Sequence, residues 1–262
     1  MNSHQIVKMM SLALLGLFAW SSLASSQSEG LVAYEEAILQ WIPDYLIATA
    51  EMTVRIGDNE PAAYVMKMWT QGSDRAVSVI TAADVDFLLG LALLQEGNEI
   101  IAWWPTLERS KTFASERTDE EIGLSAGLFE QVGQYPSDYE PIALDDAVDE
   151  WHVELRPRLE TSLFARAVVV VNKAERTITG AEFYNDEDVL IEIDRVLSYV
   201  KLESPTGGSV SFPSSLEIED LEENKITTII YTEVAIPESI AETQFTLDAL
   251  KQLAEQALAG EL

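Results

Sequence analysis

The sequence predicts a mainly β protein with helices, built on a highly curved antiparallel sheet whose concave face the helices cover. Three observations predict it. Apolar residues alternate with polar ones through most of residues 51–235, the period of a half-buried strand. These segments are separated by clusters of Gly, Asn, Asp and Pro, the residues tight turns need. A helical period of three to four appears only at the two ends of the chain and in one central stretch. There is no internal repeat and no linker-like segment, so residues 27–262 read as one domain behind a leader over residues 1–26.

The leader has the layout of a secretory signal. His4 and Lys8 lie ahead of an apolar run from Met9 to Trp20, which is short for a bilayer span. Small residues at Ser22 and Ala24 fit cleavage after Ala24, and a cut after Ser26 is the alternative; an uncleaved anchor is the other reading. No cysteine follows the run, or occurs anywhere, which excludes a lipid-modified lipoprotein, disulfides, thiol nucleophiles and Cys-based zinc sites. The expected location is therefore the periplasm, with a soluble product that is not lipid-anchored.

From Gly30 to Ala50, Leu31, Tyr34, Ile38, Trp41 or Ile42, and Tyr45 recur at helical steps, with Pro43 as an interruption. Met52 to Ile56, Ala63 to Thr70 and Arg75 to Thr81 read as strands broken by "GDNEP" and "TQGSD". An apolar stretch, Ala82 to Leu94, leads through "EGNE" into a strand from Glu99 to Trp104. "PTLER" then turns into Ser110 to Ser115. Residues 116–150 are rich in acids, Gly and Pro, and read as a long connection with a helical piece near Leu124 to Val132. "WHVELRP" alternates cleanly from Trp151. Three strands then follow, joined by "NKAER" and "NDED". A last hairpin turns at Glu222 to Asn224, and an amphipathic helix spans Phe245 to Leu258, capped by Thr246. That makes about ten strands.

With 16 Lys+Arg against 45 Asp+Glu, the formal charge is −29. Such a surface repels phosphate backbones, which excludes nucleic-acid binding. The 47% apolar share is ample for a core. Chemistry is scarce. Past the leader the only histidine is His152, on the polar face of a strand, where a catalytic triad would need a cleft and a nucleophile. "LSAG" at Leu124 to Gly127 lacks the first glycine of a nucleophile elbow. Acids are so frequent that a catalytic pair cannot be singled out, and neither a calcium-loop pattern nor a phosphate-binding glycine loop is present. The reading is a protein that is not an enzyme, with no cofactor and no metal.

Binding remains. In "AYVMKMW" Lys67 marks the wet face, so Tyr64, Met66 and Met68 look inward, and methionine suits a wall that must accept variable shapes. Trp151, Val153 and Leu155 add to that face. In "IIAWWPTLERSKTF", Trp103 and Trp104 fall on opposite faces of one strand, both apolar. Either a helix covers the second face, or one indole sits at a cavity mouth. Cavity lining and packed core read identically at this level.

The order of "GLALLQEGNEIIAWWPTLERSKTF", "WHVELRPR", "AVVVVNKAERTITGAEFYNDEDVLIEID" and "ITTIIYTEVAIPESIAETQFTLDAL" resembles the outer-membrane lipoprotein-sorting family of LolA/LolB-like carriers over residues 30–258. The matching features are aromatic-Pro-x-x-x-Arg at Trp104 to Arg109, the turn and "EFYND" from Val171 to Asp186, and Ile236-Pro237-Glu238 with Phe245 before the last helix. "EIGLSAGLFEQVGQY" replaces the Gly-Ser-Asp-Phe-like stretch of many relatives. The resemblance implies a half-open β-barrel with helices as a lid over a hydrophobic cavity. It implies a monomeric periplasmic carrier of lipid or lipoprotein acyl chains, working without catalysis or cofactor, with an inner-membrane exporter and an outer-membrane acceptor as partners. The missing cysteine fits the soluble shuttle. The alternative is a secreted structural or interaction module with the same fold and a filled core.

Overall fold

The computed structural model describes residues 29–72, 75–97, 99–114, 139–158 and 164–262. The expected leader and the helical piece near Leu124 to Val132 lie outside them. Helix α1 covers residues 29–41. Thirteen strands follow: β1 Tyr45–Ile56, β2 Ala62–Gln71, β3 Arg75–Ala83, β4 Ala92–Glu96, β5 Glu99–Trp104, β6 Arg109–Ala114, β7 Tyr139–Asp146, β8 Glu150–Pro157, β9 Arg166–Asn172, β10 Thr177–Tyr184, β11 Leu190–Glu203, β12 Ser209–Asp220 and β13 Lys225–Ala235. Helix α2, Leu247–Ala259, closes the chain.

The strands form one sheet in the order β6-β5-β4-β3-β2-β1-β13-β12-β11-β10-β9-β8-β7. Each neighbour is antiparallel, so two meanders are joined where β1 pairs with β13, from Ile47↔Ala235 to Ile56↔Lys225. The described sheet therefore ends in β6 on one side and β7 on the other. It is the curved, unclosed antiparallel sheet the sequence predicts.

Three expectations are corrected. The first helix stops at residue 41: Pro43 removes a backbone donor and drives its predecessor toward extended geometry. The chain from Tyr45 then alternates as a strand, with Leu46, Ala48, Ala50 and Met52 buried. Within the stretch read as a connection, Tyr139–Asp146 is strand β7. Its Pro141 and three acids hid it, and both are tolerated because β7 is an edge of the described sheet. The third concerns α2, which does not lie on the concave face.

Two apolar clusters explain that placement. The larger one holds the inner face of the sheet and the whole apolar side of α1 (Ala33, Tyr34, Ala37, Ile38 and Trp41). The smaller one joins Val77 and Val79 of β3, and Ala92 and Leu94 of β4, to Leu250, Leu253, Ala254 and Ala257 of α2. On β3, Val77 and Val79 alternate with Ile80 of the larger cluster, so α2 covers the outer face of β3–β5. This is why strand β5 is apolar on both sides. Thr246 caps α2 by accepting from the Ala249 N–H at 3.2 Å. Of the residues expected on its apolar face, Leu258 is exposed and Ala254 is buried in its stead.

Candidate ligand-binding hollow

The inner face is paved by side chains from strands across the sheet. Tyr64, Met66 and Met68 on β2 are all buried there, as are Trp151, Val153 and Leu155 on β8. Phe183 on β10, Phe212 and Leu216 on β12, and Ile229 and Tyr231 on β13 continue the same surface. Trp104, half-buried, packs against this cluster with Phe113 edge-on at 6.3 Å. Trp103 does not join it. Consecutive strand residues point to opposite faces, and Trp103 packs instead with the outer cluster, where Lys251 of α2 stands 4.9 Å above its ring.

Helix α1 lies over the β7–β12 half of this face. Its N-terminal end lies against β7 and β8, where a Cβ on Gly30 would stand 2.6 Å from Leu144 and 3.0 Å from Trp151. At its other end Gln40 reaches the backbone N–H of Ser211 at 3.1 Å, and Trp41 Nε1 donates to Tyr199 Oη at 3.2 Å. Arg176, on the β9–β10 turn, bridges to Glu36 at 2.7 Å and Glu29 at 3.5 Å. These ion pairs are exposed and worth little each. Apolar burial therefore holds the helix down, at about 1.5–3 kcal/mol per large side chain.

Beside the C-terminal turn of α1 a cavity of about 490 Å³ opens between Leu39 and Ile42, Tyr45 at the start of β1, Val210 on the β11–β12 hairpin, and Ile236. That is within the roughly 300–1,000 Å³ typical of ligand pockets. Asp44 and Glu238 put carboxylates on its rim. On the other side of the same turn, Ile38 and Trp41 close over Val169, Ile178, Phe183 and Asp194, leaving about 20 Å³.

Polar groups on the inner face are few and mostly tyrosines. Burial, then the hydrogen bond from Trp41 working against it, leaves the Tyr199 phenol pushed up to about 12. Burial, and after it Glu35, raises that of Tyr34; burial alone raises that of Tyr231. All three stay neutral and add no charge to the wall. Asp194 is the exception: burial first, and the neighbouring Glu192 second, hold its carboxyl well above the usual carboxylate range, with Arg195 opposing. Sequence reading missed it. Alternation through "IEIDR" sets Glu192 and Asp194 opposite Ile191 and Ile193 and so marks the acids as the wet side; only the pairing with Ala181 and Ile218 turns Asp194 inward.

His152 lies on the outer side of β8, half-exposed, with Nε2 at 3.7 Å from Glu150. Among the described residues no group of three His, Asp or Glu side chains is placed to hold a metal ion, and no helix is long and apolar enough to cross a membrane.

Comparison with known proteins agrees with this architecture. A model of a family described only as "Uncharacterized protein" matches residues 73–252, and the chain belongs to that family. Among solved structures, a LolA-superfamily protein from Nitrosomonas europaea is 17% identical, with a TM-score of 0.68 over 84% of this chain and 98% of its own. A domain named for outer-membrane lipoprotein sorting, from Vibrio parahaemolyticus, is also 17% identical, with a TM-score of 0.68 over 86% and 99%. A DUF1329-family protein from Desulfovibrio piger follows at 15% identity and a TM-score of 0.64, over 84% and 98%. At these identities the likeness is one of fold. No curated protein matches the sequence.

Proposed function

We propose that this protein is a non-catalytic carrier that binds the acyl chains of lipoproteins or related lipids between α1 and the inner face of the sheet, and shuttles them between membranes through the periplasm. The observation that carries the reading is the inner face itself. It is one apolar surface running from Trp104 and Phe113 at one edge to Trp151 near the other, and among the described residues helix α1 rests on it. Tyr64, Met66, Met68, Trp104, Trp151, Val153 and Leu155 are the wall against which a chain would lie. Each CH₂ moved from water to such a wall gains about 0.8 kcal/mol. The cavity at the C-terminal turn of α1 is the natural point at which a chain starts under the helix. In this reading an inner-membrane exporter loads the protein and an outer-membrane acceptor unloads it.

A second reading, a structural module with a filled core, is favoured by one observation: Ile38 and Trp41 close the hollow to about 20 Å³ at Phe183 and Asp194. Native mass spectrometry of gently purified protein, with titration of a fluorescent fatty acid, separates the two. Co-purified acyl species and saturable probe binding support the carrier. Protein that is bare and ignores the probe supports the filled module.

A further inference from the structure

Asp194 stands on the inner face of β11, opposite Ala181 on β10 and Ile218 on β12. Both partners belong to the inner apolar cluster. Its Oδ1 is sealed from solvent and has no hydrogen-bond partner. Ile38 and Trp41 of α1 close over it, leaving about 20 Å³, room for one water or for the terminal nitrogen of a head group. Strands β10 and β11 run close together here: a Cβ on Gly180 would stand 2.6 Å from the Asp194 carbonyl oxygen.

Leaving a buried polar atom unpaired costs about 1–3 kcal/mol. The surroundings say what would complete it. Glu192, the next inner-face residue on β11, has the same sign. The adjacent cation, Arg195, points to the outer face and is engaged by Glu217 at 3.0 Å and Glu219 at 2.9 Å. An acidic group with an acidic neighbour, in an apolar wall and with the nearest cation turned away, is complemented by a positively charged donor on a hydrocarbon body.

We propose that Asp194 is the head-group recognition point of the hollow and takes the ammonium of an amine-bearing amphiphile whose chain lies along the inner face beneath α1. This rests on the carrier reading and adds the chemical class of the cargo. The ammonium also reverses the burial penalty on the carboxyl, because an opposite charge in contact favours the ionised form.

The test compares dodecylamine with dodecanol on the full chain and on Asp194→Asn, with binding followed by calorimetry. The wild type should bind the amine about tenfold more tightly than the alcohol, the ratio expected for one charged hydrogen bond. Asp194→Asn should lower that amine-over-alcohol ratio about tenfold, because the amide cannot pair with the ammonium as an ion. Attraction of the amine to the acidic surface is common to both proteins, which share the other 44 of the 45 Asp+Glu, so their difference isolates Asp194. Asp194→Leu, which suits the apolar lining, gives the same readout if the Asn variant folds poorly. A preference that survives both substitutions overturns the assignment. Equal binding of amine and alcohol by the wild type also overturns it while leaving the carrier reading intact. Failure to bind either compound removes the carrier reading and this assignment with it.

Discussion

Trp41 Nε1 donates to Tyr199 Oη at 3.2 Å, and Tyr199 Oη donates in turn to the Ile178 carbonyl. This relay ties the last turn of α1 to β11 and β10, between the open cavity and the closed pocket at Asp194. Tyr199→Phe keeps the ring and removes both bonds, a loss of about 1–2 kcal/mol. The expected result is a melting midpoint lower by about 2–4 °C per kcal/mol, faster amide exchange across residues 29–41, and tighter binding of a fluorescent fatty acid because α1 yields more easily. Unchanged exchange in α1 would show that the relay does not restrain it.

The two adjacent indoles report on opposite faces. Trp104 looks to the inner cluster, with Arg109 5.9 Å from its ring; Trp103 is covered by α2. Ligand in the hollow should therefore shift the emission of Trp104 and leave that of Trp103 unaltered. With six tryptophans in the chain, the measurement is a difference: the ligand-induced shift should persist in Trp103→Phe and shrink in Trp104→Phe. The reverse pattern would place the ligand under α2.

Much of this site was legible because β-alternation assigns faces without knowing what covers them. Lys67 alone was enough to turn Tyr64, Met66 and Met68 inward, and Trp151, Val153 and Leu155 follow from the period of "WHVELRP". What covers a face depends on distant residues. The double-sided apolarity of β5 showed that something must lie on the second face, but Leu250 and Ala254 are far from it in sequence. Strand β7 was hidden because an edge strand needs neither an apolar face on both sides nor freedom from proline. Asp194 was hidden among 45 acids, since only the register with Ala181 and Ile218 gives its carboxyl an apolar surround.

Gly90 is where the β3–β4 loop, the β5–β6 turn and α2 come together. Its φ of 77° lies in the left-handed region, and an added Cβ would stand 2.9 Å from Pro105, 3.0 Å from Leu258 and 3.2 Å from the Ala254 carbonyl. Gly90→Ala combines backbone strain with overpacking, about 1–3 kcal/mol. Thermal melts should show a clear loss of midpoint, and exchange should rise in residues 247–259. Because α2 sits on the outer face, fatty-acid affinity should hold. Loss of affinity at preserved fold would mean that the outer face communicates with the hollow.

The carboxyl of Asp194 sets a pH dependence whose sign is fixed by its surroundings. Burial, with Glu192 adding to it, raises its affinity for a proton in the folded protein, against the pull of Arg195. An unfolded Asp titrates near pH ~3.9. Below that value the group is neutral in both states and costs nothing by ionising. As pH rises through the window between the unfolded value and the raised folded one, the unfolded chain gives up its proton first, so folding stability falls; above the folded value the loss is complete. Asp194→Asn has no such step. Its melting midpoint should therefore exceed that of the wild type at neutral pH, and the gap should close as pH falls toward about 4. Taking the difference between the two proteins cancels the titration of the remaining acids, which is identical in both. In the presence of a long-chain amine the order should reverse at neutral pH, because the ammonium stabilises the ionised carboxyl only in the wild type. A gap independent of pH would show that Asp194 titrates as an ordinary surface carboxylate.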